Sequence, residues 1–400
     1  MAPFHPCQPE FCSNCDRFAA WYRLTGTEQE AWARARELCL EQTVEFPGDL
    51  LPAGHIVDEI VARVDRVEPV PGADGAAWLA LVTFLNHDTG FELTQLLNTL
   101  FGNISLKSGH RLERLVDCPL MWRTFRGPRF GPDGLRRRLG VLHRPLLCTA
   151  LKPLGLNADQ LASLAYQFAI GGIDVVKDDH GLANQPFARF AERAERCAAA
   201  VLAGSERLGR PILYAPNITA PAGRLVERAH HAKRVGAGAL LVCPGLVGFD
   251  AMRTLADDDD LDLPILAHPA LLGSHVVHAD SGVSHRALFG QWMRLAGADA
   301  VIYPHHGGRF GFSLQDCRDI VDGASSPLGD CRPTLPMPGG GMTLARVPEL
   351  LRFYGQDVAL LIGGDLLRGG PDVAATCRNF VAAVGGRAGR KQGDAQDLGP

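Results

Sequence analysis

The carboxy-terminal part of the chain alternates between short apolar runs and longer amphipathic segments. Eight runs, apolar on both faces, are typical of buried parallel strands and cover residues 146–151, 173–177, 212–215, 239–242, 264–267, 300–303, 334–337 and 358–362. Helix-length stretches separate them, most clearly at residues 158–170, 186–203, 222–235, 285–295, 344–354 and 373–384. Eight such strand–helix units in about 250 residues predict a TIM barrel. A doubly wound open sheet is the competing fold, but its first strand usually leads into a glycine-rich turn, whereas this one ends in Lys152-Pro153.

The preceding residues have a different pattern, which predicts a smaller α+β domain. A helix is expected over residues 26–46, because Thr27 can cap it and Ala31 and Ala35 fall on one face. Strands are expected at 55–67 and 77–85 on either side of a Pro-Gly turn, and a second helix at 93–101. Glycines and prolines at 127–134 predict a linker. The predicted organisation is an α+β domain over 1–135, a barrel over 136–385 and a disordered tail over 386–400.

Composition excludes several classes of function. Of 400 residues, 46% are apolar and 21% charged, and the net charge of −4 gives no basic surface for nucleic acid or a membrane. No run of about 18 apolar residues and no signal-peptide pattern is present, so a cytoplasmic protein is expected. Eleven cysteines are an odd number, typical of free thiols. Cys7, Cys12 and Cys15 could supply three ligands to zinc or an iron–sulfur cluster, but no fourth follows, and free thiols explain them better.

Polar residues stand where most of the predicted barrel strands end, which is the side of a TIM barrel that carries its chemistry. In strand order they are Lys152, then Lys177, Asp178, Asp179 and His180, then Asn217, His268, Tyr303, His305 and His306, and the glycines 339–341 and 363–364. Holding so many polar groups in a core without a function would be costly. Their convergence predicts an active site at this end.

Lys177 is the most informative of these residues, because it ends an apolar run next to two aspartates and a histidine. Carboxylates and an imidazole suit a hard or borderline metal ion, and a carbamylated lysine would add carboxylate oxygens. Two alternatives stay open: a lysine that only pairs with its aspartate neighbours, and a Schiff-base lysine as in class I aldolases. The backbone amides of the glycines after strands seven and eight are typical of a phosphate cradle, although glycines also occur in tight turns.

Taken together, these motifs resemble the RuBisCO large chain from about residue 30 to 385. The resemblance rests on Gly-Gly-Ile-Asp-Val-Val-Lys-Asp-Asp-His at 171–180, Thr-Ala-Leu-Lys-Pro at 149–153 and Pro-Asn-Ile-Thr at 216–219. It implies a carbamate of CO₂ on Lys177 and a Mg²⁺ ion held by Lys177, Asp179 and His180. The family has glutamate where this chain has His180, and an imidazole favours a softer ion such as Mn²⁺. Glu41 and Asn103 match residues that the family lends to a neighbouring subunit, which implies at least a homodimer.

Other positions depart from the carboxylases and resemble the RuBisCO-like proteins, which do not fix CO₂. Leu154 replaces a lysine after Lys152-Pro153, Pro269 replaces an arginine after His268, and Gly339 replaces a serine. The loop after strand six reads Gly-Gly-Arg-Phe at 307–310 and lacks the family's lysine, which leaves Arg309 as a candidate for binding substrate or phosphate. Since the replaced arginine and serine hold a second phosphate, a monophosphate substrate is expected. The resemblance assigns that phosphate to Gly340, Gly341, Gly363 and Gly364.

The chemistry implied by the resemblance is metal-assisted formation of an enediolate from a small phosphorylated substrate. Lys152 would act as an electrophile or proton carrier, and carbamylated Lys177 or His268 as the base. Three known activities fit: transcarboxylation/hydrolysis of 3-oxo-isoapionate 4-phosphate, enolisation of 2,3-diketo-5-methylthiopentyl 1-phosphate, and isomerisation of 5-methylthioribulose 1-phosphate. His180 favours the first. A Schiff-base aldolase and a barrel that binds a phosphorylated ligand without catalysis are the alternatives from other classes.

Overall fold

The computed structural model describes residues 16–385, so the predictions for Cys7, Cys12 and Cys15 and for the tail over 386–400 lie outside the described residues. It contains two sheets. The strands are β1 (Arg17–Thr25), β2 (Arg63–Pro69), β3 (Ala77–Leu85), β4 (His110–Leu115), β5 (Leu146–Leu151), β6 (Val175–Asp178), β7 (Leu213–Ala215), β8 (Leu240–Val242), β9 (Ile265–Ala267), β10 (Gly282–Val283), β11 (Ala300–Pro304), β12 (Leu335–Gly339) and β13 (Ala359–Ile362). The front sheet has the order β10-β4-β1-β3-β2, and the second sheet has the order β7-β6-β5-β13-β12-β11-β9-β8.

Helices connect the strands and pack on both sheets. They are α1 (Glu28–Thr43), α2 (Leu93–Phe101), α3 (Pro119–Trp122), α4 (Gly131–Leu139), α5 (Ala158–Ile170), α6 (Phe190–Leu208), α7 (Ala222–Arg234), α8 (Pro244–Val247), α9 (Phe249–Asp257), α10 (Gly273–Val276), α11 (Met293–Leu295), α12 (Leu314–Ser325), α13 (Val347–Tyr354), α14 (Asp365–Arg368) and α15 (Val373–Gly385). Short segments of 3₁₀ or π helix occur at Gly48–Leu50, Ile56–Ile60, Asn86–Thr89, Asn103–Leu106, Arg286–Trp292 and Leu344–Arg346. None of the helices within residues 16–385 is long and apolar enough to cross a membrane.

The eight-stranded sheet is parallel and closes into the predicted TIM barrel. Its first and last strands, β5 and β13, pair directly. The remaining gap between β7 and β8 is bridged just beyond β7, where the Leu241 amide donates to the Pro216 carbonyl at 2.9 Å and the Ile218 amide donates to the Leu241 carbonyl at 3.0 Å. Alternate strand residues, such as Leu146, Leu266 and Met337, fill the interior. The predicted barrel is confirmed, with each strand within one or two residues of the predicted limits.

The predicted linker at 127–134 is wrong, because α4 begins within it. Pro132 suits the first turn of a helix, where its missing N–H is not needed. Leu135 and Leu139 pack on the interior residues of the barrel, and the carboxylate of Asp299, which precedes β11, accepts the Gly131 amide at 2.8 Å. Helix α4 therefore covers the N-terminal end of the barrel and leaves the opposite end for ligands. The boundary between residues 135 and 136 falls inside this helix and stays a prediction.

In the front domain, the predictions of α1, α2 and β3 are confirmed. Thr27 caps α1 in a capping box with Glu30. The strand predicted over 55–67 is half wrong, because Ile56–Ile60 forms a π turn and pairing begins only at Arg63. Strands β1 and β4 were not predicted. Most residues of β1 are buried on both faces, so it lacks the polar alternation that marks a half-exposed strand.

Candidate active site

A cavity of about 1210 Å³ lies at the C-terminal ends of the barrel strands. Ten of the predicted site residues line it: Lys152, Lys177, Asp179, His180, His268, Arg309, Gly340, Gly341, Gly363 and Gly364. They come from the ends of six different strands, because parallel strands in a barrel all present their carboxyl ends to the same space. The structure therefore brings together the barrel residues that the sequence marked separately.

Lys177 lies in the wall of this cavity because strand residues alternate between the two faces of β6. Val176 packs against the surrounding helices, whereas Val175 and Lys177 face inward. Lys177 is 2% exposed, and its Nζ donates to the backbone carbonyl of Asp178 at 3.1 Å. Burial removes water from the ammonium and lowers the pKa of Lys177 below its usual value. The neutral, nucleophilic amine is therefore easier to reach here than on the surface.

Asp179 and His180 follow Lys177 and present an oxygen and a nitrogen side by side. The Asp179 carboxylate forms an ion pair with Lys152 and accepts the Gly181 amide at 2.9 Å. Burial alone would raise the pKa of Asp179, but these two donors outweigh it, and the pKa is lowered. His180 Nδ1 lies 3.5 Å from Asp179 Oδ1, and burial lowers the pKa of His180. An ionised carboxylate beside a neutral imidazole is a usable donor pair for a divalent ion.

His268 stacks on His180, with ring centroids 4.1 Å apart and an angle of 13° between the rings. Burial, and then the positive charge of Lys177, lower the pKa of His268 to about 2, so the ring is neutral at physiological pH. Its Nδ1 accepts the Ala270 amide at 3.2 Å, so the neutral ring carries its proton on Nε2. In this tautomer His268 donates a hydrogen bond from Nε2 and has no lone pair there for a base.

Asp178 points away from the cavity and holds the end of β6 in place. Its carboxylate accepts Arg193 Nε at 3.0 Å, the Tyr214 hydroxyl at 2.8 Å and the Asn217 amide at 3.0 Å. The Asn217 side chain in turn donates to the His180 carbonyl at 2.8 Å. The sequence analysis assigned no role to Arg193. Its charge at a position on the apolar face of α6 is the feature that could have identified it.

The predicted phosphate loops present glycines to the cavity with little helix behind them. Gly340 and Gly341 have φ values of +98° and +67°, which a side chain would strain, so glycine is required at both. A 3₁₀ turn and the four-residue helix α14 follow the two loops, so the helix dipole expected there is small. Arg309 is exposed above the Phe310 ring, and Arg368 also lines the cavity. Backbone amides of these loops and the guanidinium groups of Arg309 and Arg368 are candidate phosphate donors.

Glu41 and Asn103 do not line this cavity. They lie on the front domain and contact each other, with Asn103 Nδ2 donating to Glu41 Oε1 at 3.0 Å. The adjacent Gln42 is buried, donates to the Thr99 carbonyl at 2.9 Å and accepts the Ile104 amide at 2.8 Å. This places the pair on a rigid, exposed part of the front domain, where it is available to a second chain.

His305 and His306, expected at the end of β11, do not line the cavity. With Cys317 they form the group of three His, Cys, Asp or Glu ligand atoms within 4.8 Å found among residues 16–385. His305 Nδ1 lies 2.8 Å from the Tyr354 hydroxyl, and Nε2 lies 3.3 Å from a guanidinium nitrogen of Arg346. Both ring nitrogens are thus already used, and a cation next to Nε2 opposes a metal on this ring. We interpret this group as hydrogen-bonded packing.

The cavity residues that the sequence analysis missed include Arg368, Arg111, His285 and Asp316. Arg111 belongs to β4 and is brought to the cavity by β10, which joins the front sheet by pairing Gly282 with Arg111. Such a contact between distant segments leaves no local pattern. The eight cysteines among residues 16–385 are all buried.

The family comparisons agree with this geometry. Residues 133–379 match the family model "Ribulose bisphosphate carboxylase large chain, catalytic domain". The 5-methylthioribulose-1-phosphate isomerase of Rhodospirillum rubrum is 38% identical over 94% of this chain and 98% of its own. The 2,3-diketo-5-methylthiopentyl-1-phosphate enolase of Bacillus pumilus is 31% identical over 95% and 96%.

Among solved structures, a Rubisco-like protein from Rhodopseudomonas palustris superposes with a TM-score of 0.85 at 34% identity, covering 95% of this chain and 100% of that one. Both domains therefore have counterparts in a single known chain. With a matched family model, relatives that are similar over nearly the whole length and a cavity built from the same motifs, the chain belongs to the RuBisCO large-chain family and is a RuBisCO-like protein.

Proposed function

We propose that this protein is a metal-dependent enzyme that enolises a small phosphorylated ketone, and that 5-methylthioribulose 1-phosphate is its substrate for isomerisation. The observation that carries the proposal is the buried Lys177 amine, with its lowered pKa, next to Asp179 and His180 in a large cavity. An inert barrel would gain nothing from a buried lysine whose charge is destabilised.

The residues present fit a divalent ion only if Lys177 is modified. Asp179 and His180 supply two donor atoms, and Lys152 already places a positive charge against the Asp179 carboxylate. An unmodified lysine is a poor partner for Mg²⁺ or Mn²⁺, whereas a carbamate supplies oxygens, and a neutral amine is the form that adds CO₂. When bound, the ion polarises the substrate carbonyl and makes the neighbouring C–H acidic.

The other residues divide the remaining tasks. Lys152 lines the cavity with a half-exposed side chain, and its ammonium pairs with Asp179. The ammonium can therefore stabilise negative charge that develops on a substrate oxygen. His268 carries its proton on Nε2 and donates a hydrogen bond. Of the two bases that the sequence left open, the structure favours the carbamate oxygens of Lys177, because His268 presents no lone pair at Nε2.

The cavity walls favour a methylthio substrate over a sugar acid. Exposed apolar side chains line one side, including Val277 and Phe310, with Val276, Phe289 and Phe312 beside them. Contact with such a surface stabilises a bound CH₃–S group, whereas it does not stabilise a second anionic group. The sequence had favoured 3-oxo-isoapionate 4-phosphate. The apolar wall and the two relatives named for methylthio substrates support the alternative, and the isomerase is the more similar of the two.

The test is a substrate panel with the purified full chain. 5-Methylthioribulose 1-phosphate, 2,3-diketo-5-methylthiopentyl 1-phosphate and 3-oxo-isoapionate 4-phosphate are assayed with Mg²⁺ or Mn²⁺, with bicarbonate, and after EDTA. Turnover of the first that stops on chelation and in a Lys177→Ala variant supports the proposal. Activity that survives EDTA and is trapped by borohydride would instead identify a Schiff-base enzyme. No turnover of any of the three, with metal and CO₂ present, would refute the proposal.

A further inference from the structure

The cavity has further polar residues in its wall that the chemistry at Lys177 does not use. Arg111, His285 and Asp316 are among them. They meet because β10 pairs with the strand that carries Arg111, and the chain runs from β10 into His285 within two residues. An imidazole and a carboxylate therefore face the same space as the metal-site residues while belonging to different elements of the fold.

The imidazole of His285 is held in one orientation. Its Nδ1 lies 3.1 Å from Asp316 Oδ1, and the other carboxylate oxygen accepts the amide and hydroxyl of Ser313 at 2.7 and 2.8 Å. Burial would raise the pKa of Asp316, but the hydrogen bonds from His285 and Ser313 outweigh it and lower the pKa. The Phe312 ring packs edge-on against the imidazole, with centroids 4.4 Å apart. The Asp316 carboxylate, which is held at both oxygens, therefore fixes the orientation of the His285 ring.

The other ring nitrogen is left for a ligand. Among residues 16–385, no group forms a hydrogen bond with His285 Nε2, and this nitrogen is not completely buried. The side chain keeps 8% of its surface exposed while lining the cavity. A cavity-lining histidine with Nδ1 on a carboxylate and no protein partner for Nε2 has the arrangement of a general acid–base group. Arg111 beside it can neutralise an oxyanion.

We propose that His285, oriented by Asp316, is a second acid–base residue that returns a proton to carbon during isomerisation. The inference rests on the proposed function, because isomerisation needs two proton transfers at carbon. In the first, the base near Lys177 removes the proton next to the carbonyl, and the electron pair enters the enediolate. In the second, the C=C pair takes the Nε2 proton of the His285 imidazolium at the former carbonyl carbon.

The remaining protons balance. The neighbouring hydroxyl loses its proton and becomes the new carbonyl, while the old carbonyl oxygen gains one and becomes a hydroxyl. His285 is left neutral and regains a proton from solvent, and the first base releases its proton to solvent. Two protons leave the substrate and two enter it, so no oxidant or reductant is needed.

The test separates the two transfers in D₂O. Wild-type protein with 5-methylthioribulose 1-phosphate and Mg²⁺ or Mn²⁺ is followed by NMR for deuterium entering the substrate and for product. In His285→Gln we expect substrate exchange to persist while product formation falls by about 10²–10⁴-fold, the usual contribution of such a group. Asp316→Asn should lose product formation in the same selective way. His230→Gln is the matched control, because His230 pairs with Asp258 at 2.9 Å outside the cavity.

Each outcome decides between the two proposals. Normal product formation in His285→Gln, or an equal loss of exchange and product, would overturn the role of His285 while leaving the proposed function of the wild-type protein intact. Product formation in the wild-type protein without exchange would overturn the second acid–base residue, and absence of both exchange and product would overturn the proposed function, and this inference with it. If His285→Gln does not fold, the same comparison is made with Asp316→Asn, whose amide oxygen can still cap α12 at Ser313.

Discussion

The buried ion pair between Arg193 and Asp178 gives the most quantitative prediction. Both side chains are fully buried, and Arg193 also donates to the carbonyls of Ala188 at 2.6 Å and Ala183 at 3.0 Å. Replacing Arg193 by methionine removes these donors and leaves the Asp178 carboxylate as an uncompensated buried charge. Breaking a buried pair in this way costs about 3–5 kcal/mol of the free energy of unfolding.

The matched control is Arg196→Met on the same helix. Arg196 pairs with Glu192 at 2.8 Å, but both side chains are exposed by more than 40%. Exposed pairs of this kind contribute about 0–1 kcal/mol. Urea unfolding of both variants and the wild-type protein, followed by circular dichroism at one protein concentration, measures the difference.

A double-mutant cycle checks the physical cause. Adding Asp178→Asn to Arg193→Met removes the uncompensated charge, so the double variant should be more stable than the sum of the two single losses predicts. Since Asp178 also holds Tyr214 and the Asn217 amide, Arg193→Met should lower turnover at subdenaturing conditions. A loss of less than about 1 kcal/mol in Arg193→Met, equal to that of Arg196→Met, would refute the assignment of a buried charge pair.

Three further predictions concern the active site. Mixing Glu41→Gln chains with Lys177→Ala chains under subunit exchange should restore part of the activity if two subunits share each site; hybrids that form and stay inactive would exclude this. Gly364→Val places a side chain in open space at the phosphate loop and should raise KM for the phosphorylated substrate, whereas an unchanged KM would place the phosphate elsewhere. Lys152→Met removes a donor that lowers the pKa of Asp179, so the carboxylate should protonate at higher pH and the acidic limb of the rate profile should move upward; an unmoved limb would contradict this.

Local patterns of the sequence were sufficient for the barrel and for much of its site. Buried parallel strands are apolar on both faces, and the helices between them repeat every 3.6 residues, so the eight units could be counted without any long-range information. Since all strands of a barrel end in one space, residues such as Lys177 and His268, far apart in sequence, could be grouped as soon as the fold was predicted.

Only the tertiary structure decided which side chains at those strand ends face the cavity. His305 and Asp178 follow the same pattern as Lys177, yet the alternation along each strand and the partners Tyr354 and Arg193 turn them outward. The protonation state of each group was likewise beyond the sequence, because burial lowers the pKa of Lys177 and outweighs the raising effect of its neighbours Asp178 and Asp179.

The presence of Arg111 and His285 in the cavity wall also depended on tertiary structure. Arg111 and His285 are brought together by a two-residue strand, β10, which is too short to have a period of its own. Local sequence reports the period of an element and the face that it buries. Pairing between distant segments is set by the free energy of the whole fold, so only the tertiary structure could identify it.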